Sequence, residues 1–249
     1  MPIHDFNAER LHIDSPLAEG VDVACSDDKA HYLLNVLRLK AGDRILIFNG
    51  RDGEWRARLA DVAKRRCTLI LEELVRPQDD GADLVYLFAP LKRARLDYMV
   101  QKAVEMGASS LQPVFTRRTV ADRVNMERMR ANVIEAAEQC GILSIPEVRE
   151  PVGLATLLEN WDPDRRIIFC DEAAEQADPV AILGGLEPGP VAVLIGPEGG
   201  FDPQERQELT DKAFTTAIPL GPRIMRADTA AVAALALVNA VLGDWKPKD

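Results

Sequence analysis

Two short segments in the last quarter of the chain hold the residue types from which a ligand site can be built. The first is Ile195-Gly196-Pro197-Glu198-Gly199-Gly200-Phe201, directly after the apolar run Val191–Ile195. Three glycines and a proline between Gly196 and Gly200 fix a tight turn and let main chain approach a bound molecule closely. The segment is not a P-loop, because no Lys-Ser/Thr follows, and it is not GxGxxG. A nucleoside could lie against such a loop; a plain structural turn is the alternative, since glycine serves both uses. The second segment is Pro219-Leu220-Gly221-Pro222-Arg223-Ile224-Met225-Arg226-Ala227-Asp228-Thr229-Ala230. Its Arg223 and Arg226 stand just before a helix start, where cations oppose the macrodipole. Either Asp228 holds them, or a phosphate or nucleobase carbonyl does, both of which suit the planar guanidinium fork. Asp228 is expected to act as an N-cap before Thr229-Ala230. Glu198 is either a structural carboxylate beside a helix N-terminus or a functional one.

These segments must be positioned by regular elements, and the pattern from Asp83 onward supplies them. Leu84–Ala89, Leu111–Phe115, Arg166–Cys170, Val191–Ile195 and Thr216–Leu220 read as buried strands. Between them lie a helix through Leu96, Met99, Val100, Ala103 and Val104 that stops at Gly107, and another from Met126 to Cys140 that stops at Gly141. Later helices begin near Pro203, with Asp202 as N-cap and Glu205 at N3, and near Asp228. This alternation predicts a parallel sheet covered by helices, whose ligands bind where strands end and helices begin. Both singled-out segments are such junctions. Upstream the texture differs: Arg44–Phe48, Glu54–Leu59 and Cys67–Leu71 are strand-like and separated by Asn49-Gly50 and Asp52-Gly53. A small β-barrel-like module over 1–75 and an α/β domain over 76–249 are therefore expected, joined at the polar stretch Arg76–Gly81.

Composition narrows the classes. Hydrophobic residues make up 47% of the chain, enough for a core, and no apolar run reaches the roughly 20 residues of a membrane span. The start, MPIHDFNAERLHID, lacks a secretion-signal layout, so a soluble cytoplasmic protein is expected. Cys25, Cys67, Cys140 and Cys170 are scattered, and His4, His12 and His31 lie near the front; that spacing predicts no metal site. The net charge of −10 is unevenly spread. Residues 1–70 are neutral, 71–150 carry −2 and 151–249 carry −8. Basic clusters remain at Arg51, Arg56 and Arg58, at Lys64-Arg65-Arg66, at Lys92-Arg93 with Arg95, and at Arg117, Arg118, Arg123, Arg128 and Arg130. Each is either a solvated face or part of a local field that attracts a polyanion.

Taken together, Gly196-Pro-Glu-Gly-Gly200 and LGPRIMRADTA resemble the paired signatures, GPEGG and LGxRILRxETA, of SPOUT-superfamily methyltransferases that methylate N3 of a uridine in bacterial 16S ribosomal RNA. Further stretches agree in order. Gln101-Lys102-Ala-Val-Glu105-Met-Gly107 resembles that family's QKATELG, Glu135–Gln139 its EAxEQ, and His31–Arg38 with Gly42-Asp43 its HxxxVLR…GD. The chain departs from the pattern at Met225 and Asp228, and its N-terminus, with Asp5 and Glu9 near Arg10, lacks a basic start.

The resemblance implies an α/β fold with a C-terminal SPOUT-type parallel sheet tied in a deep trefoil knot around Ile195–Thr229, plus a small N-terminal PUA-like β-barrel that docks RNA. It implies S-adenosylmethionine as cofactor, held by Leu194, Gly196, Pro197, Glu198, Gly199, Gly200, Leu220, Gly221, Ile224, Met225, Arg226, Thr229 and Ala230. It also implies a homodimer and, as target, one uridine (1498 in that family's usual numbering), with 16S rRNA met within the small subunit. Losing the N3 proton leaves negative charge on the base, which Arg226 is placed to stabilise, with Glu198 or Asp228 assisting deprotonation. Candidate RNA contacts are Arg38, Lys92, Arg93, Arg117, Arg118 and Arg223. No cysteine or histidine suggests a covalent step. The alternatives are a sister enzyme with another RNA target and a non-catalytic RNA-binding assembly factor.

Overall fold

The computed structural model describes residues 8–245; His4 and Asp5 lie outside the described residues. The chain divides into two compact units, one running through Asp80 and including Ala137–Ile145, the other formed by Gly81–Ala136 and Pro146 onward. Among the described residues no helix is long and apolar enough to cross a membrane.

The first unit contains β1 (Arg10–His12), β2 (Asp22–Ala24), α1 (Asp27–His31), β3 (Arg44–Phe48), β4 (Glu54–Ala63) and β5 (Arg66–Arg76). They form a five-stranded sheet in the order β1-β3-β4-β5-β2, antiparallel except for β1 with β3. The turn between β3 and β4 follows from its sequence. Asn49 Oδ1 accepts from the Arg51 and Asp52 amides at 2.9 and 2.8 Å, while Gly53 turns at φ +81° where a Cβ would meet the Arg76 carbonyl. Alternate residues such as Ile45, Ile47, Ala57, Leu59, Leu69 and Leu71 enter the core.

On the opposite face the expected basic cluster is largely neutralised. Glu72 accepts from Arg44 and Arg58, and Glu73 pairs with Arg56. Glu54, only 1% exposed, sits between Arg10 and Arg76 at 2.9 and 2.8 Å. The short strands β1 and β2 were not foreseen. Nor was the recruitment of 137–145, where Glu138 accepts from the His12 amide and the Gly141 carbonyl from Arg76, both at 2.8 Å. The expected contiguous division at 75/76 did not include this return of the chain.

The second unit holds β6 (Leu84–Phe88), α2 (Arg93–Glu105), β7 (Ser110–Phe115), most of α3 (Met126–Cys140), β8 (Glu147–Val148), β9 (Val152–Gly153), α4 (Leu154–Glu159), β10 (Arg166–Cys170), α5 (Pro179–Gly184), β11 (Val191–Ile195), α6 (Pro203–Thr210), β12 (Thr215–Ile218) and α7 (Ala227–Val241). The sheet order is β12-β10-β11-β6-β7-β8, with β9 beside β7, and every pairing is parallel. One face packs Val85, Leu87, Ile167, Phe169, Ala192 and Leu194 against Leu154, Leu157, Leu158 and Leu209, the last four being residues of α4 and α6. The other face carries α7, which contacts β11, α2 and α5. Gly107 and Gly141 end α2 and α3 in the left-handed region, at φ +78° and +64°.

Candidate functional site: a cleft at three strand ends

The neighbouring strands β10, β11 and β12 release their chains at one edge of the sheet, and the three loops that follow wall a cleft of about 240 Å³. Its walls come from Cys170–Ala173 and Gln176, from Ile195–Glu198, Gly200 and Phe201, and from Pro219–Met225, with Ala227 and Ala230 of α7. Ligands of parallel sheets bind at such strand ends.

The loop after β11 is fixed from both sides. Gly196 lies against the Phe201 ring so closely that a Cβ would enter it, and that ring meets Phe169 edge to face at 5.0 Å. Gly200 turns at φ +68° beneath the Glu172 carboxylate. Downstream, Asp202 caps α6 in a full capping box with Glu205. Arg117 donates to Asp202 and Gln204 at 2.9 and 2.8 Å, its amide donates to Glu205 at 2.8 Å, and Arg118 donates to the Gly199 carbonyl at 3.0 Å. The backbone bond from Gln204, with Arg117 and Arg118 alongside, holds the Asp202 carboxyl below the usual range despite some desolvation. Glu198 forms an ion pair with Arg95.

The loop after β10 is the wall that sequence reading missed. Asp171, buried at 4% exposure, accepts from Arg206 Nε at 2.8 Å through Oδ2 and from the Ala173 amide at 3.0 Å through Oδ1. The hydrogen bond and charge of Asp171 raise the Arg206 pKa. Glu172, exposed, is left with no ion-pair partner among the described residues. The signal is present in the sequence: Arg166–Cys170 reads as a strand, and ligands of parallel sheets bind beyond strand carboxyl ends. Cys170 also lines the cleft. Burial pushes its thiol up to about 12, so at neutral pH it is a protonated, weakly nucleophilic wall.

Of the expected cofactor residues, Gly196, Pro197, Glu198, Gly200, Leu220, Gly221, Ile224, Met225 and Ala230 converge on the cleft. Four do not line it. Leu194 points into the core, because strand side chains alternate and Ile195 takes the cleft side. Gly199 and Thr229 are exposed outside the walls, and so is Arg226. Arg226, and not Asp228, occupies the N-cap of α7, without a side-chain cap bond. Asp228 lies in the first turn and accepts from the Thr229 amide at 2.9 Å, where its charge suits the dipole. The expected Asp228 cap is thus replaced, and no ion pair joins Asp228 to Arg223 or Arg226 among the described residues.

Of the expected RNA contacts, Lys92 and Arg93 are exposed at the start of α2 and Arg223 at the cleft rim. Arg117 and Arg118 are engaged with residues 199–205. Arg38, in the first unit, is exposed with φ +58°. Among the described residues there is no cluster of three His, Cys, Asp or Glu that could hold a metal ion.

An all-parallel sheet with glycine-bearing loops around a cleft at adjacent strand ends defines a class, and comparison with known proteins says which. The model of an RNA methyltransferase domain matches residues 78–239, and that of an RNA methyltransferase PUA domain matches 26–72. The curated ribosomal RNA small subunit methyltransferase E of Rickettsia conorii is 32% identical over 92% of this chain and 94% of its own length. Its Bacillus subtilis counterpart is 27% identical over 90% and 91%. Among solved structures, a ribosomal RNA small subunit methyltransferase E from Neisseria gonorrhoeae bound to S-adenosyl methionine superposes with a TM-score of 0.85 at 26% identity, covering 96% of this chain and 100% of that one. A putative methyltransferase from Legionella pneumophila in complex with the same cofactor gives 0.84 at 27% identity, covering 96% and 99%. The chain belongs to the ribosomal RNA small subunit methyltransferase E family.

Proposed function

We propose that this protein methylates N3 of a uridine in the 16S RNA of the small ribosomal subunit, using S-adenosylmethionine held in the cleft. The observation that carries the reading is the convergence of the Gly196–Gly200 loop and the Leu220–Met225 segment on one cleft, in a chain whose family relatives are named as small-subunit ribosomal RNA methyltransferases.

The cleft suits the cofactor in shape and charge. Ile195, Phe201, Leu220, Met225, Ala227 and Ala230 offer an apolar bed for an adenosine, and the close-lying glycines bring main-chain groups to its edges. The unpaired Glu172 carboxylate complements a cationic ligand. When bound, the cofactor supplies an electrophilic methyl on a sulfonium; the remaining tasks fall to the chain. N3 of uridine lies on the Watson–Crick edge, so the base must leave its stack and be held in line with that methyl. Arg226, beside the cleft residues Met225 and Ala227, would swing over the base and stabilise the charge left by the N3 proton. Glu198 would take that proton, once the base displaces Arg95 from it. Lys92, Arg93 and Arg223 supply cations for the RNA backbone, with Arg117 and Arg118 chiefly holding the loop.

A homodimer, a threaded chain around Ile195–Thr229, an assembled subunit as substrate and a cytoplasmic setting complete the reading. Mass spectrometry of small-subunit RNA from cells with and without the gene tests it. Loss of 3-methyluridine on deletion, restored by the intact gene but not by Arg226→Ala, is the expected result. Loss of a different methylated nucleoside would replace the target, and no change at all would leave a non-catalytic RNA-binding factor.

A further inference from the structure

Ile224 is the most exposed large apolar residue among those described, with a relative accessibility of 102%. It borders the cleft with its surface open to solvent. Arg223 and Arg226 flank it one and two positions away, both exposed, and neither guanidinium has an ion-pair or hydrogen-bond partner among the described residues. In the first unit, Arg44, Arg56 and Arg58 are matched by Glu72 and Glu73, and within this unit Arg95, Arg117, Arg128 and Arg206 all have acidic partners.

A lone exposed aliphatic residue is ordinary on a protein surface. One set between two unmatched guanidinium groups at the mouth of a base-sized cleft is a different object. An apolar protein partner covering Ile224 would have to desolvate both guanidiniums, and neither has an acid beside it to offset that cost. RNA reverses the problem: phosphates take guanidinium groups bidentately, and the space between stacked bases takes an apolar side chain. Isoleucine is suited to such insertion, because branching at Cβ leaves it few rotamers to lose.

We propose that Ile224 is a wedge that enters the base stack at the gap left by the target uridine, with Arg223 on a flanking phosphate and Arg226 left for the extruded base. The inference rests on the proposed reaction, since a target atom on the Watson–Crick edge requires the base to be turned out. Ile224 is in this view a positioning residue: it holds open the extruded state without touching the reacting atoms.

The test uses full-length protein, S-adenosylmethionine and a small-subunit RNA fragment with 2-aminopurine beside the target uridine. Wild-type protein should raise the 2-aminopurine fluorescence as the neighbour unstacks. Ile224→Ala should abolish most of that rise and lower kcat/KM by roughly ten- to a hundredfold, the range set by unstacking one base step. Ile224→Leu should recover both. The sedimentation coefficient should match wild type in each variant, and the cofactor is kept saturating throughout. Replacing the neighbouring base by an abasic linker removes the stack to be opened and should bring Ile224→Ala within about threefold of wild type, if the loss is an unstacking cost.

Unchanged fluorescence and rate in Ile224→Ala overturn the wedge. So does a change of sedimentation, which would place Ile224 against a second copy of the chain. The fluorescence readout needs no methyl transfer. A wild-type protein that unstacks the RNA through Ile224 without methylating it therefore supports the wedge and removes the proposed reaction, whereas methylation without unstacking removes the wedge alone.

Discussion

Replacing Asp171 isolates the wall of the cleft that comes from β10. Its carboxylate divides its work between two oxygens, one for Arg206 Nε at 2.8 Å and one for the Ala173 amide at 3.0 Å. Asp171→Asn keeps an acceptor for the amide and removes the charge from the arginine; Asp171→Ala removes both. A hydrogen bond to a charged group contributes about 1.5–3 kcal/mol net. The Arg206 side chain is 38% exposed although that of Asp171 is only 3%, so water takes over part of the loss and the low end, about 1.5 kcal/mol, applies. The backbone bond adds about 1 kcal/mol. If the bound cofactor needs this loop in place, each 1.4 kcal/mol is tenfold in Kd. Asp171→Asn should then weaken S-adenosylmethionine about tenfold and Asp171→Ala about sixtyfold by calorimetry. Arg206→Ala should match Asp171→Asn, and the double variant Asp171→Asn/Arg206→Ala should be little worse than either alone, since the two share one interaction. A cofactor Kd unchanged in all of these, with only Tm lowered, would refute the assignment and leave the pair as a stabiliser of the sheet edge.

Three further outcomes are expected. Glu54 is held between Arg10 and Arg76; burial pushes its carboxyl up, but the two guanidiniums together leave it below its ordinary value. Glu54→Gln should therefore cost about 3–5 kcal/mol in urea unfolding. Because the folded value is depressed, this stabilisation is present above the unfolded value near 4.3 and is lost as pH falls through the folded one. Wild-type Tm should drop more steeply in that acid window than the variant's, and parallel curves would refute the linkage. Gly200→Ala forces a side chain into φ +68° and displaces Glu172. It should cost about 1–2 kcal/mol in stability or cofactor affinity, and a neutral result by calorimetry and melting would mean that the loop relaxes. Arg226→Ala should lower single-turnover methylation about a hundredfold or more, as loss of one charge-stabilising donor does, while cofactor affinity holds; full turnover would remove Arg226 from the chemistry.

Much of this site is readable from residues whose roles are local. Asp202, Pro203 and Glu205 form the expected helix start, since capping depends on a few neighbouring positions. The strands Arg166–Cys170 and Val191–Ile195 fall where their apolar runs place them. Choosing between Leu194 and Ile195 depended on the pleat, and an error of one residue exchanges core for cleft. Asp228 was misplaced because a helix can begin without a side-chain cap when Arg226 provides only main chain. The sequence offered no means of seeing that Asp171 meets Arg206 across 35 positions, or that Gly141 would close on Arg76 across 65. Such pairings are set by topology, which local patterns do not encode.

The same distinction resolves the charge of this chain. A net −10 opposes a polyanion only where charges act within a Debye length, about 8 Å at physiological salt. Several acids near the cleft loops and α2 are committed: Asp97 to Arg128, Asp171 to Arg206, Glu198 to Arg95 and Asp202 to Arg117. Lys92 and Arg93 at the start of α2 and Arg223 and Arg226 before α7 have no acidic partner among the described residues. Both helices follow the carboxyl ends of parallel strands, β6 and β12, so their N-termini point the positive ends of two dipoles to one edge of the sheet. That is the edge where the cleft opens. The local field at this rim thus depends on which charges the fold has already satisfied, a quantity the net charge does not contain.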